Sequence, residues 1–203
     1  MTKIKFCGLS QLQDIEAANI LQPDYIGFVF AGKSRRYVSP EQAAALKSIL
    51  RPDIMAVGVF VDAQIEEITQ LAERGIIDVI QLHGSEDESY MQRLRLLTDK
   101  PIIKAFIINN AQDIQRAEGS SADYILLDGG KGNGRVFDWN LLKQIKRPYF
   151  LAGGLTIENA AAAVAGLHPF AVDVSSGIES SGRKDKEKMA AFAAAVRKGE
   201  END

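Results

Sequence analysis

The sequence predicts a single (β/α)8 barrel, an α/β fold in which residues 1–203 form one catalytic domain. Three observations carry that reading. Short apolar runs alternate with amphipathic or alanine-rich stretches eight times along the chain. Each strand–helix unit takes about 25 residues, so eight units fill it almost completely. Polar residues gather at the C-terminal ends of several different strands, where barrel enzymes keep their chemistry. A doubly wound open sheet is the rival. It calls for fewer strands and a glycine-rich fingerprint after the first, and Cys7-Gly8-Leu9-Ser10 is not G-x-G-x-x-G.

The first strand is expected at residues 3–7, where Ile4 and Phe6 share one face and Lys3, Lys5 and Cys7 the other. A lone cysteine is usually a buried small hydrophobe. A face with two lysines and a thiol, ending at Gly8, is poor core material and reads instead as the rim of a site. A helix over 12–21 and a strand over 25–30 follow. Ser39-Pro40-Glu41 then offers an N-cap with proline at the first helical position, so a helix is expected over 40–50. Strands over 54–60, 78–82, 102–107 and 124–128 alternate with helices over 65–74, 89–97, 111–117 and 140–145. A strand over 149–152 leads through Thr156, a cap, into a helix over 157–165. The last pair is a strand over 170–175 and a helix over 186–198.

Parity separates the two strand faces. Ile4/Phe6, Ile26/Phe28/Phe30, Ile80/Leu82, Ile125/Leu127 and Phe170/Val172/Val174 make apolar outer faces that would pack on helices. The opposite parity puts Lys5, Cys7, Gln81, His83, Lys104, Asp128, Ala171, Asp173 and Ser175 inside. Lys5 and Asp173 lie on the first and last strands, neighbours in a closed barrel, and are expected to pair. Two glycine loops follow the seventh and eighth strands: Gly153-Gly154 in 151–156, and Ser176-Gly177 in 174–179. Converging backbone N–H groups at that end of a barrel suit a phosphate dianion.

Composition sets limits. A net charge of −3 gives no reason to expect nucleic acid or an acidic membrane surface as partner. One cysteine excludes an internal disulfide framework and, with only two histidines, argues against a zinc site. No apolar run is long enough to span a bilayer, and the N-terminus opens into a strand rather than a signal peptide. A cytoplasmic location in a reducing compartment is expected.

The motifs together resemble the phosphoribosylanthranilate isomerase family from end to end. They are Lys5-Phe6-Cys7-Gly8; Gly27-Phe28-Val29-Phe30 with Ser34-Arg35-Arg36; Val57-Gly58-Val59; Gln81-Leu82-His83-Gly84; and Leu127-Asp128 before Gly132-Asn133-Gly134 and Phe137-Asp138-Trp139. Leu151-Ala152-Gly153-Gly154-Leu155 and Val172 through Glu179, with Lys184-Asp185, complete the set. Two departures are small: Phe6 replaces a common isoleucine, and Arg135 a frequent lysine or threonine. The resemblance implies an Amadori rearrangement of N-(5′-phosphoribosyl)anthranilate in tryptophan biosynthesis, with no metal and no cofactor. It implies Asp128 as the general acid that opens the ring, Cys7 as the general base, and Arg36 as a contact to the anthranilate carboxylate.

The residues agree with these roles on physical grounds. Lys5 on the same strand face as Cys7 favours a thiolate. Asp128 ends an apolar strand, where desolvation keeps a proton available, although a loop cap is its plainer reading. His83 is either a structural hydrogen-bonder or a substrate contact. Asp173 either orients Lys5 or Cys7 or touches substrate. His168 is expected to be inert, Trp139 to pack, and residues 183–188 to form a solvated helix start with Lys184-Asp185 as a cap. The expected partner is a small phosphorylated substrate, and monomer and homodimer stay open. Two rivals remain: another phosphosugar isomerase or epimerase, for which metal-binding histidines are lacking, and a non-catalytic phosphate-binding barrel.

Overall fold

The computed structural model describes residues 1–129 and 139–201. Gly132-Asn133-Gly134, Arg135 and Phe137-Asp138 lie outside the described residues. Eight parallel strands close into a barrel in sequence order: β1 (Lys3–Cys7), β2 (Tyr25–Val29), β3 (Met55–Phe60), β4 (Val79–Leu82), β5 (Ile102–Ile107), β6 (Tyr124–Asp128), β7 (Tyr149–Ala152) and β8 (Ala171–Val174). The helices between them are α1 (Leu12–Leu21), α2 (Pro40–Ser48), α3 (Ile65–Glu73), α4 (Glu88–Arg95), α5 (Ala111–Glu118), α6 (Ile157–Leu167) and α7 (Lys186–Glu201).

Period-2 alternation decides what each strand buries. Ile4, Phe6, Ile26, Phe28, Ile80, Leu82, Ile125, Leu127, Val172 and Val174 all join the core between barrel and helices. Tyr25, Val57, Val79, Ile103, Leu126, Phe150 and Ala171 fill the barrel's interior. Phe170 belongs with that interior set rather than the outer face expected for it. It precedes the start of β8 and stacks on Tyr124 with ring centroids 5.1 Å apart, closing the bottom of the barrel.

The bottom is stitched by carboxylates. Asp24, Asp78 and Asp123, each just before an even-numbered strand, accept the N–H of Ile4, Ala56 and Ile102 at or next to the start of the preceding strand. Those bonds satisfy donors at the sheet's ends and fix the register there. Ser39 caps α2 by accepting from the Gln42 N–H, with Pro40 at the first helical position, as expected.

Two connections differ from expectation. A six-residue 3-10 stretch, Trp139–Gln144, stands where an α-helix was expected over 140–145. A segment that short cannot offset the cost of nucleating an α-helix. After β8 comes a short 3-10 turn, Ser176–Ile178, and then a two-stranded hairpin of β9 (Glu179–Ser180) and β10 (Arg183–Lys184). Ser181 and Gly182, with φ of 51° and 79°, make its two-residue turn. Arg183–Lys184 are therefore a strand, and of the run 183–188 only residues 186–188 open the helix expected there. Asp185 alone caps α7, accepting from the N–H groups of Glu187 and Lys188.

Candidate active site

Every site residue expected from sequence lies on or just beyond the C-terminal end of a barrel strand, except Asp173, which is one residue inside. Cys7 ends β1 and is buried, 8% exposed. Its neighbour across the β1–β2 pairing is Gly27. A Cβ at position 27 would sit 2.8 Å from the Cys7 Sγ, so only glycine leaves the sulfur its space. Val29, Val59 and Ala31 complete an apolar collar around the thiol.

Beneath that collar Lys5 is fully buried, and its Nζ pairs with Asp173 Oδ1 at 2.8 Å. The two stand opposite one another in the β1–β8 register, so the expected ion pair forms where the barrel closes. It also corrects the expectation that Lys5 makes Cys7 a ready thiolate. Burial pushes the Cys7 thiol up, Lys5 pulls it down, and Asp173 pushes it up again. Lys184 pulls it down from the far side. The net direction is upward, because desolvation penalises the anion more than a lysine already paired with Asp173 favours it. Asp173 is thereby a partner of Lys5, the first of the roles open to it.

Asp128 ends β6 with its carboxylate on the interior face. His83, just past β4, places Nε2 3.6 Å from Asp128 Oδ2. On its other side His83 Nδ1 lies 3.0 Å from the Gln81 amide nitrogen, one turn of the pleat below. Gln81 donating there leaves the neutral imidazole's proton on Nε2, facing Asp128. Lys104 does not join this group. It lies on the outer face of β5, where Nζ bonds the Gly84 carbonyl at 2.7 Å and Glu86 at 2.9 Å. Glu86 in turn accepts the N–H groups of Asp62 and Gly84, so the Lys104–Glu86 pair braces the loop that carries His83.

The glycine loops after β7 and β8 meet at the same end of the barrel. Gly153 and Gly154 have φ of 85° and 69°. A Cβ on Gly153 would lie 2.4 Å from the Gly129 N and 2.5 Å from Asp128 Oδ1, so the first glycine turn packs directly on the acid. One on Gly177 would lie 2.1 Å from the Leu155 carbonyl oxygen, so Ser176-Gly177 presses against the other glycine loop. The two loops form one surface.

Arg36, in the loop after β2, lies over Gly8. A Cβ on Gly8 would be 2.4 Å from the Arg36 Cδ, so the side chain's stem occupies the space a larger residue would fill. Its guanidinium is held by Glu179, a residue that sequence reasoning quoted but gave no role. Lys184, expected to be solvated or a cap, is buried beside it. Its Nζ bonds Glu179 Oε1 at 2.8 Å and the Ser175 carbonyl at 2.9 Å. Ser175 Oγ donates to the Cys7 carbonyl at 3.0 Å. The signal for this cluster was present as an acid and a lysine flanking Ser181-Gly182, a hairpin turn pair. Trp139 packs partly buried against the core, as expected. His168 ends α6 at the opposite end of the barrel. Among the described residues no group of three His, Cys, Asp or Glu side chains could hold a metal ion, and no helix is long and apolar enough to cross a membrane.

A buried thiol, a carboxylate facing a histidine, a guanidinium and two abutting glycine loops share one barrel mouth. Such a set can protonate one end of a phosphorylated molecule and remove a proton from another carbon. The family model described as N-(5'phosphoribosyl)anthranilate (PRA) isomerase matches residues 4–195. An N-(5'-phosphoribosyl)anthranilate isomerase of Endomicrobium trichonymphae is 44% identical over 194 residues, covering 93% of this chain and 95% of that one. A crystal structure of phosphoribosyl anthranilate isomerase in complex with reduced 1-(o-carboxyphenylamino)-1-deoxyribulose 5-phosphate is similar at a TM-score of 0.87. It is 35% identical, with 97% of this chain and 99% of that chain covered. A structure of generated monomers of the dimeric enzyme from Thermotoga maritima has a TM-score of 0.86 at the same identity and coverage.

Proposed function

This chain belongs to the N-(5′-phosphoribosyl)anthranilate isomerase family, and we propose that it runs the isomerisation with Cys7 as general base and Asp128 as general acid. The substrate is N-(5′-phosphoribosyl)anthranilate and the setting is tryptophan biosynthesis. Asp128 gives a proton to the furanose ring oxygen as the C1′–O bond breaks, and the anilino nitrogen's lone pair forms the C1′=N iminium. The Cys7 thiolate then takes the C2′ proton, and the C–H electron pair becomes the C1′=C2′ bond while the nitrogen regains its lone pair. Transfer of the 2′-hydroxyl proton and protonation at C1′ give the ketone, so the sum is an isomerisation with no change in composition.

His83 supports the acid's role by presenting a donor to Asp128, which stabilises the carboxylate left after ring opening. Gly153, Gly154, Ser176 and Gly177 bind the phosphate through backbone N–H groups, and Arg36 takes the anthranilate carboxylate. Asp173 serves through Lys5. We place the enzyme in the cytoplasm as one catalytic domain over residues 1–203, working as a monomer or a homodimer without cofactor or metal. The observation that carries the assignment of roles is the separation of environments: a buried apolar collar around the thiol and a partly exposed carboxylate facing the His83 imidazole across the mouth.

Cys7→Ala and Asp128→Asn test it together, by loss of the substrate's anthranilate fluorescence. Removing a positioned acid or base is expected to cost roughly 10²-fold or more in kcat for either variant, with inhibition by inorganic phosphate within a few-fold of wild type. Either variant within about threefold of the wild-type kcat would remove that residue from its role.

A further inference from the structure

The last strand leads into a hairpin that the reaction itself does not call for. In it Glu179 and Lys184 are direct cross-strand partners. Glu179 is nearly buried, and four cations address it. Arg36 approaches edge-on, Nε to Oε1 at 2.6 Å and Nη2 to Oε2 at 3.0 Å. Arg35 Nη2 reaches Oε2 at 2.7 Å, Lys184 Nζ reaches Oε1 at 2.8 Å, and Lys188 Nζ bonds the Glu179 carbonyl at 2.9 Å. Burial alone would raise the Glu179 carboxyl, but the hydrogen bonds and charges of Arg36 and Lys184 outweigh it and hold the group at about 2. It is a carboxylate at any working pH.

A guanidinium has five N–H donors in a plane. Glu179 takes one from Nε and one from Nη2, which leaves both Nη1 donors and the second on Nη2. One on Nη1 and one on Nη2 form the end-on edge of the fork, the edge that receives a carboxylate bidentately, and the other Nη1 donor points back towards Cδ. The stem cannot swing away, because it lies on Gly8, the residue after Cys7. Arg36 is thus pinned at both ends, by Glu179 at the guanidinium and at a stem that lies over the residue after Cys7.

We propose that Glu179 is a positioning residue that presents the end-on edge of Arg36 to the substrate's ring carboxylate, and that Lys184 holds Glu179 in register for this. The proposal rests on the reading of Arg36 as the carboxylate contact. It makes Glu179 a determinant of specificity for a carboxylated aniline, through an arginine 143 residues away in sequence.

Glu179→Gln keeps the shape but turns one acceptor into an N–H that opposes the arginine's own N–H. A lost charge-assisted bond of about 1.5 kcal/mol corresponds to roughly a tenfold rise in KM, with kcat within about threefold. Three comparisons read it. N-(5′-phosphoribosyl)aniline, which lacks the carboxylate, is expected to bind Glu179→Gln and wild type alike, and inhibition by inorganic phosphate is expected to stay unchanged. Arg36→Met is expected to raise KM, and adding Glu179→Gln to it should raise KM no further. A KM unchanged in Glu179→Gln beside a raised KM in Arg36→Met overturns the positioning role alone. A KM that rises equally for the aniline substrate, or a double variant that adds both effects, also overturns it. An unchanged KM in Arg36→Met removes the reading of Arg36, and the positioning role falls with it.

Discussion

Replacing Lys5 by methionine should destabilise this barrel strongly, because the change strands a charge. Lys5 has no exposed side-chain surface, Asp173 has 9%, and their contact is 2.8 Å. Methionine fills similar volume but leaves the Asp173 carboxylate buried without its cation. Breaking a buried pair from one side costs about 3–5 kcal/mol, since the remaining ion keeps its desolvation penalty. Unfolding entropy near 2.1 cal/mol/K per residue gives roughly 0.43 kcal/mol/K for a chain of this length. The expected loss in Tm is therefore about 7–12 °C. The double variant Lys5→Met/Asp173→Leu removes both charges and should recover most of it, since apolar residues of similar volume replace buried pairs at little cost. Thermal unfolding followed by circular dichroism at 222 nm reads this, with urea midpoints at constant m value as a check. A single variant within about 2 °C of wild type, or a double variant less stable than the single one, would refute the reasoning.

Two further predictions concern the mouth of the barrel. Gly153→Ala needs a left-handed backbone at φ 85° and places a methyl 2.5 Å from Asp128 Oδ1, so it should lower both kcat and affinity for inorganic phosphate. A variant altered in phosphate affinity alone would show that the cradle and the acid are independent. The pH profile tests the thiol. Burial raises Cys7 above its ordinary 9.0, so the rate of its alkylation by iodoacetamide should still be rising at pH 9, as the thiolate fraction grows. A plateau reached near pH 7 would mean that the base titrates lower than its burial dictates.

The strand alternation fixes much of this molecule without any tertiary knowledge. Ile4 with Phe6 and Ile125 with Leu127 can only face the helices if Lys5, Cys7 and Asp128 face the barrel, and a period of two leaves no third choice. The site's location follows from the same pattern, because polar residues at strand ends have somewhere to go only at the open mouth. Where both faces of a strand are apolar, that logic loses its phase. Ile102 and Ile103 begin β5 back to back, as parallel strands buried on both sides permit, so Lys104 was expected inside and lies outside on Glu86.

The remaining decisions belong to closure. Lys5 meets Asp173 across 168 residues and Arg36 meets Glu179 across 143, contacts that no local pattern encodes. The state of Cys7 depends on them as well. Sequence placed a lysine beside the thiol and suggested an anion. The folded chain surrounds that thiol with apolar atoms and pairs the lysine with Asp173, so desolvation wins. Periodicity reports which face a side chain takes; only the packed barrel sets the dielectric around it and the charges that reach it.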